Sequence, residues 1–304
     1  VYAYEEKHDN QDLWEHGCLE RVLDRLEKIS RPQPNIVYIS LLKSCIRGKN
    51  LPCIDRIRAL IGIHKIDVCG SLGKQLVMTL SKCGSLEDSQ EVFDNLPFRD
   101  VVAWTSLITG YAEHECAEDA LKLFERMKDD GITPNYVTFL CILKVCGSMQ
   151  AVDRGQTVHA EIVKEEYENH PLISTALVDM YGKCNLLREA RFIHDSLKVK
   201  TVISWTSLIA GYAEHGLVKE TFHCFKKMQS QGIVPNNITF LCTLKACVNE
   251  KCINRGRQLH ADIIKIGFER DLLISTTMVD MYGKCGSCVE AQFMFDKLGS
   301  PNII

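Results

Sequence analysis

The sequence lacks an excess of positive charge: 36 lysines and arginines stand against 39 aspartates and glutamates, for a net charge of −3. That excludes a chain-wide basic footprint for nucleic acid, so any such contact has to rest on local positions. Long apolar runs are missing too; nothing approaches the roughly 20 apolar residues that carry a helix across a bilayer. There is no Gly-rich phosphate loop, no nucleophile elbow and no carboxylate pair, which leaves no active site to assign. The chain opens on Val1 rather than Met, so it says nothing about a targeting leader.

Cysteine, by contrast, is plentiful, with 15 residues. A disulfide framework would explain such a number in a small secreted chain, but 304 residues can bury a core without staples. Most of the cysteines fall in helical apolar stripes and read as reduced thiols used as small apolar side chains. A hydrophobic content of 46% and a charged content of 25% are ordinary for a folded chain. The length points to several domains or to a repeat array.

A single period organises the chain. WTSLITGYAEH begins at Trp104 and WTSLIAGYAEH at Trp205, 101 residues on; TFLC recurs from Thr138 to Thr239 and DMYGKC from Asp179 to Asp280 at the same spacing. Fixed self-similarity of this kind marks a repeat architecture. The 101-residue block divides into units of 35, 35 and 31 residues. The first type covers 101–135 and 202–236. The second covers 35–69, 136–170 and 237–271, and the third 70–100, 171–201 and 272–302. Residues 1–34 read as an eroded copy of the first type, with Glu15-His16-Gly17 echoing Glu214-His215-Gly216. Residues 303–304 would open a further unit, so the array is expected to continue beyond this chain.

Each unit reads as two helices. Trp104, Leu107, Ile108 and Tyr111 mark one stripe, and Ala117, Ala120, Leu121 and Phe124 mark a second. Gly131 followed by Pro134 stops the second helix. Ser85, three residues before Asp88, suits an N-cap for a helix carrying Ser89, Val92, Phe93 and Leu96. No β alternation competes. One helical pair cannot bury its stripe alone, so the expected fold is all-α, an α-α superhelix of stacked helix-turn-helix repeats with one concave surface.

Several tempting sites dissolve against the period. Cys285-Gly-Ser-Cys288 and His159-Ala-Glu161 imitate a zinc deaminase signature. Yet Cys83, Cys184 and Cys285 are one repeat position, Cys288 replaces Leu86 and Leu187, and the proline before the CxxC is missing. No metal site and no cofactor are assigned. His159 and His260 suit packing between units, and Trp104 and Trp205 suit the core better than base stacking. Thr105 and Thr206, lying between the Trp and the apolar pair, are expected to point off the core stripe.

Periods near 35 leave two readings: tetratricopeptide repeats, which bind proteins, or pentatricopeptide repeats (PPR), which bind RNA. The alternation of 35, 35 and 31 resembles the P, L and S triplets of the PLS subclass of PPR proteins. VVAWTSLITGYAEHECAEDALKLFERMKDDGITPN is similar to a P repeat and TALVDMYGKC to the start of an S repeat. The phrase from Gly155 to His159, echoed from Gly256 to His260, is similar to part of an L repeat. The resemblance covers about residues 35–302, and residues 1–34 match it poorly.

The resemblance implies that each repeat addresses one base of single-stranded RNA through its fifth and last residues. Carried onto this sequence, the P repeats present Thr105 with Asn135 and Thr206 with Asn236, and the final S repeat presents Thr276 with Asn302. A Thr and Asn pairing favours adenine in the family; an Asn amide is able to accept from adenine N6–H and donate to N1. The S repeat 171–201 departs with Thr175 and Thr201, which suggests a purine, and Lys74 with Asp100 is atypical. The L repeats carry Leu140 with His170 and Leu241 with Asp271; Leu cannot bond a base, so these units are expected to set spacing. A parallel register gives 5′-A-N-R-A-N-A-3′. Val102, Leu172, Ile203 and Leu273 fall at the second position, where an apolar side chain wedges between bases. Lys82, Lys183 and Lys284 fall at the thirteenth position, where the family's lysine approaches phosphate, while Glu113 and Glu214 stand there in the P repeats.

The implied function is RNA recognition in a mitochondrion or chloroplast, most naturally in C-to-U editing, alongside other editing or processing proteins and away from any membrane. The chain itself is expected not to be an enzyme; a deaminase-like domain would lie outside it. The rival reading is a protein-interaction scaffold of tetratricopeptide type.

Overall fold

The computed structural model describes residues 18–29 and 31–298, and among them it contains 17 α-helices and no strand. In chain order these are α1 (Cys18–Leu26), α2 (Asn35–Gly48), α3 (Leu51–Ile63), α4 (Ser71–Cys83), α5 (Leu86–Asp94), α6 (Val101–Glu113), α7 (Ala117–Asp129), α8 (Tyr136–Ser148), α9 (Val152–Lys164), α10 (Pro171–Lys183), α11 (Leu187–Ser196), α12 (Val202–Glu214), α13 (Val218–Ser230), α14 (Asn237–Glu250), α15 (Ile253–Ile266), α16 (Leu272–Lys284) and α17 (Cys288–Lys297). The chain separates into two compact units that meet within α8, one ending at Val145 and the other beginning at Cys146. No helix among the described residues is long and apolar enough to cross a membrane.

From α2 onward the helices come in pairs, one pair to each expected repeat. Within the first unit α4 packs between α2 and α6; within the second, α12 packs on α10 and α14, and α14 on α16. Within each unit the first helices of successive repeats are thus mutual neighbours. Trp104, Leu107, Ile108, Ala120 and Phe124 are fully buried, as are Trp205, Leu208 and Ile209, while Tyr111 and Ala117 are half-buried. The two tryptophans belong to the core, where each receives an aromatic edge: Phe93 lies 4.6 Å from Trp104 and His194 4.3 Å from Trp205.

The recurring phrases turn out to be packing surfaces. A Cβ added to Gly110 would sit 2.4 Å from Ser81 Cβ, and one added to Gly211 would sit 3.0 Å from Gly182 Cα. The GYAEH glycine therefore lets α6 approach α4, and α12 approach α10, backbone against backbone. His215 Nε2 lies 2.9 Å from the Gly182 carbonyl, which also accepts the Asn185 amide, so its N–H ties the end of α12 to the last turn of α10. In the other motif a Cβ at Gly155 would meet Met180 Sδ at 2.7 Å, and one turn on His159 Nδ1 contacts Tyr181 Oη at 2.8 Å. Gly256, Met281, His260 and Tyr282 repeat the arrangement. The histidines join the second helix of one repeat to the first helix of the next, as expected.

Cys45, Cys146 and Cys247 recur at one fully buried position. All three are free thiols, and burial pushes them up to about 12, 11 and 12. Two local expectations are corrected. Ser85 does not cap α5 through a backbone amide: its hydroxyl donates to the Asp88 carboxylate, a charged acceptor already held by Arg58 at 2.8 Å. Cys288 is not a stripe residue but exposed, because it is the first residue of α17 and its side chain lies outside the helix contact.

Two outcomes test this packing. Gly110→Ala should destabilise the first unit by about 1–3 kcal/mol, since an added methyl has no room beside Ser81; thermal unfolding followed by circular dichroism measures it. His194 is fully buried with neither ring nitrogen hydrogen-bonded. Burial lowers it from 6.5 to about 4, against the opposing pull of Asp195 at 3.7 Å. Between pH 6.5 and 4 the unfolded chain takes a proton that the folded chain refuses, so stability falls as pH drops through that window. The loss is on the order of 3 kcal/mol by linkage. His194→Phe, which copies Phe93 at the equivalent position, should abolish this part of the pH dependence; unfolding midpoints at pH 7 and pH 4.5 decide.

Candidate nucleic-acid interface

Stacking first helices side by side brings the fifth residue of one repeat to the amino terminus of the next repeat's first helix, which is where the last residue of the repeat stands. In the repeat 101–135, Asn135 Oδ1 accepts the Thr138 amide at 3.0 Å and so caps α8. The same oxygen accepts the Thr138 hydroxyl at 3.1 Å, and Thr138 Oγ1 lies 2.7 Å from Thr105 Oγ1. The repeat 202–236 reproduces every contact: Asn236 Oδ1 accepts from the Thr239 amide at 2.9 Å and its hydroxyl at 2.8 Å, with Thr206 Oγ1 at 2.6 Å. The structure brings each expected pair together through a third residue, and it encloses the threonines that were expected to point outward. Thr105 and Thr206 are each only 8% exposed, because the close helix approach encloses the fifth position.

The atypical pair is joined as well. Lys74 Nζ donates to Asp100 Oδ2 at 2.5 Å, while Asp100 Oδ1 caps α6 by accepting from Val102 and Ala103 at 3.2 and 3.0 Å. Burial works to raise the Asp100 carboxyl, but Lys74 and the two amides hold it below the usual carboxylate range. Both oxygens are thereby committed within the protein. Thr175 and Thr201 are not hydrogen-bonded to each other. Thr175 donates to the Pro171 carbonyl at 2.8 Å, and Thr201 forms a capping box with Ser204. Thr276 is exposed and bonds back to Leu272; its expected partner Asn302 lies outside the described residues. In the L repeats Asp271 caps α16 through the Leu273 and Ile274 amides.

The expected wedges, Val102, Leu172, Ile203 and Leu273, are aliphatic side chains between 48% and 59% exposed. Ile36 and Ile238 stand at the same second position in L repeats and are exposed too. The signal for them in the sequence was the second position of the L repeats.

Of the thirteenth-position lysines, Lys82 is exposed and forms no ion pair among the described residues. Lys183 and Lys284 each bond the aspartate one turn back, Asp179 at 2.7 Å and Asp280 at 2.9 Å. A second set went unnoticed. Lys43, Lys144 and Lys245 are spaced by 101 residues at the ninth position of the L repeats, and all are exposed. The shared spacing was the signal. In the second unit Lys245 and Lys284 line one cleft of about 390 Å³ with Glu214 and Asp280. The charge there is mixed, so the local field is far weaker than a lysine row alone would give. No cluster of three or more His, Cys, Asp or Glu side chains able to hold a metal occurs among the described residues.

The PPR repeat family model matches residues 99–148 and 200–249, and a PPR repeat model matches 274–300. A chloroplastic pentatricopeptide repeat-containing protein of Arabidopsis thaliana is 35% identical over 272 residues, 89% of this chain and 51% of that protein. The chain belongs to the pentatricopeptide repeat family. A mitochondrial PPR protein of the same plant is 32% identical over 287 residues, 94% of this chain and 46% of the relative. This PPR chain thus spans about half the length of the curated relatives it matches. Among solved structures it is similar to PPR10 in complex with an 18-nt psaJ RNA element, with a TM-score of 0.63 and 18% identity over 97% of this chain and 42% of that one. PPR10 from maize gives 0.56 at the same identity, covering 97% and 49%. That likeness establishes the all-α helical-repeat fold.

The cap geometry makes a prediction about stability alone. Asn135→Ala removes the acceptor for the Thr138 amide and should cost about 1 kcal/mol, whereas Asn135→Asp retains the cap and should cost little. Parallel thermal melts of the two variants measure the difference.

Proposed function

We propose that this chain binds single-stranded RNA, one base per repeat, as the specificity module of an organellar RNA-processing factor. The observation that carries the reading is the paired Thr105–Asn135 and Thr206–Asn236 constellation, each linked through a buried hydroxyl and flanked by an exposed aliphatic residue, Val102 or Ile203. A protein-binding scaffold has no need to couple those two positions. The solved PPR10 complex contains RNA, and named relatives are chloroplastic or mitochondrial, which supports an RNA partner and an organellar setting.

The chemistry of base choice follows from the caps. Because Oδ1 of Asn135 faces the helix terminus, the group left for a base is the Nδ2 amino group, a donor only. It suits a ring nitrogen acceptor such as adenine N1 and opposes the N1–H of guanine. This replaces the earlier picture of one amide both accepting and donating. The unequal 35, 35 and 31 units support the PLS subclass, with a role in C-to-U editing whose catalysis would come from another domain. In the proposed register 5′-A-N-R-A-N-A-3′ the two P repeats read adenines, and Lys74 with Asp100, bonded to each other, contribute little.

Asn135→Asp tests the reading. A carboxylate caps α8 as well as the amide does, but presents an acceptor in place of the amino group. The preference at one base should move from adenine towards guanine by about 1 kcal/mol, at the low end for base contacts. The assay is a titration of both proteins against short RNAs that differ only at that base. Retained adenine preference, or equal loss of all RNAs, removes Asn135 as a base reader.

A further inference from the structure

We infer that Thr138, the third residue of the repeat that follows, is a positioning residue for base choice by the Thr105–Asn135 pair. The inference rests on the RNA-reading function proposed above and adds a third determinant to it. Thr138 is fully buried and reaches no solvent. Its hydroxyl lies between the two readers, 3.1 Å from Asn135 Oδ1 and 2.7 Å from Thr105 Oγ1.

The order of protons in this chain of three groups is fixed by elementary bonding. An amide oxygen accepts and never donates, so the Thr138 proton goes to Asn135 Oδ1. Thr138 then has only lone pairs for Thr105, and the Thr105 proton must turn inward to meet them. Two things follow for the groups left to a base. Asn135 cannot flip, because its oxygen receives both the amide and the hydroxyl of Thr138, so Nδ2 faces out as a donor. Thr105 has spent its only proton, so what it offers, directly or through a water, is an acceptor. Donor beside acceptor is the complement of a Watson–Crick edge that pairs a ring acceptor with an exocyclic amino group. Adenine and cytosine have that edge; guanine and uracil carry the reverse pattern. A buried residue that touches no base thereby sets which class of base the exposed pair accepts.

The other repeats act as internal controls. Thr239 takes the same place between Thr206 and Asn236, although there the Thr206 proton has a competing acceptor in the Val202 carbonyl at 2.7 Å. At the third position after Lys74 and Asp100 stands Ala103, which has no hydroxyl, and those two side chains bond directly instead. After Thr175 and Thr201 it is Ser204, which closes a capping box with Thr201 and leaves Thr175 bonded to its own helix.

The test is Thr138→Val, which keeps shape and burial, keeps the backbone amide that Asn135 caps, and deletes only the hydroxyl. Wild type, Thr138→Val and Thr138→Ser are titrated against RNAs carrying each of the four bases opposite Thr105–Asn135, with the base opposite Thr206–Asn236 varied as a control. Loss of the relay should lower affinity for the adenine RNA by roughly tenfold and narrow the adenine-over-guanine ratio to the same degree. Discrimination at the control base should be unchanged, and Thr138→Ser should restore both values. A purely structural role would instead weaken all RNAs alike. If Thr138→Val retains the wild-type ratio while Asn135→Asp still shifts it, the relay is refuted and the reading of RNA survives. If wild type shows no base preference at all, the proposed function falls and takes the relay with it. Should Thr138→Val lose its helical circular dichroism signal, Thr239→Val in the second unit carries the same test at its own base.

Discussion

Everything in this molecule that bears on recognition depends on how closely the first helices of neighbouring repeats approach. Gly211 against Gly182, and Gly110 against Ser81, allow a separation that no larger side chain would permit. Between α6 and α8 the first helices again come close enough for the fifth residue of one to fall against the third residue of the next, and the hydroxyls of Thr105 and Thr138 meet at 2.7 Å. A wider spacing would leave both threonines to water and separate the readers. The glycines fit α6 to α4 and α12 to α10, while the threonine contacts fit α6 to α8 and α12 to α14.

The cap imposes a second constraint. The last residue of each repeat is also the residue that begins the next first helix, and a helix start needs a short polar side chain to accept its unpaired amides. Asp100, Asn135, Thr201, Asn236 and Asp271 all do so. The residues that cap well are few, and they are also compact hydrogen-bonding groups that differ in whether they offer an amino group, a carboxylate or a hydroxyl outward. Under the proposed function, folding and reading draw on the same small set of side chains. An exchange of Asn for Asp keeps an acceptor for the helix amides, whereas an apolar residue at the same place removes it.

Charge is distributed in keeping with this division. Lys183 and Lys284 are held by aspartates one turn earlier, so a phosphate has to compete for them. Lys82, together with the ninth-position lysines Lys43, Lys144 and Lys245, is exposed without that restraint. A chain of net charge −3 can attract a polyanion only through such local positions. Under the proposed function, base contacts and wedging side chains supply a larger share of the affinity than they do in a strongly basic protein.

The sequence by itself determined the repeat, the helical pairs and the core, and it singled out Thr105 with Asn135 and Thr206 with Asn236 as pairs. Periodicity is a one-dimensional property, and residues such as Trp104, Leu107 and Ile108 declare their stripe without reference to any partner. It could not show why the glycine of GYAEH or the histidine of GQTVHA recurs, since each contacts a residue in another repeat. Nor could it show that Ser85 would bond Asp88 in place of a backbone amide, which depends on Arg58 arriving from a different helix. The direction in which Asn135 faces follows from a local cap on Thr138, but the enclosure of Thr105 was decided by tertiary structure alone. It follows from the approach of Thr138, a residue 33 positions from Thr105 that local sequence gives no reason to place beside it. Spacing along the chain names the members of such a site; only the approach of two helices fixes which atoms they have left to offer.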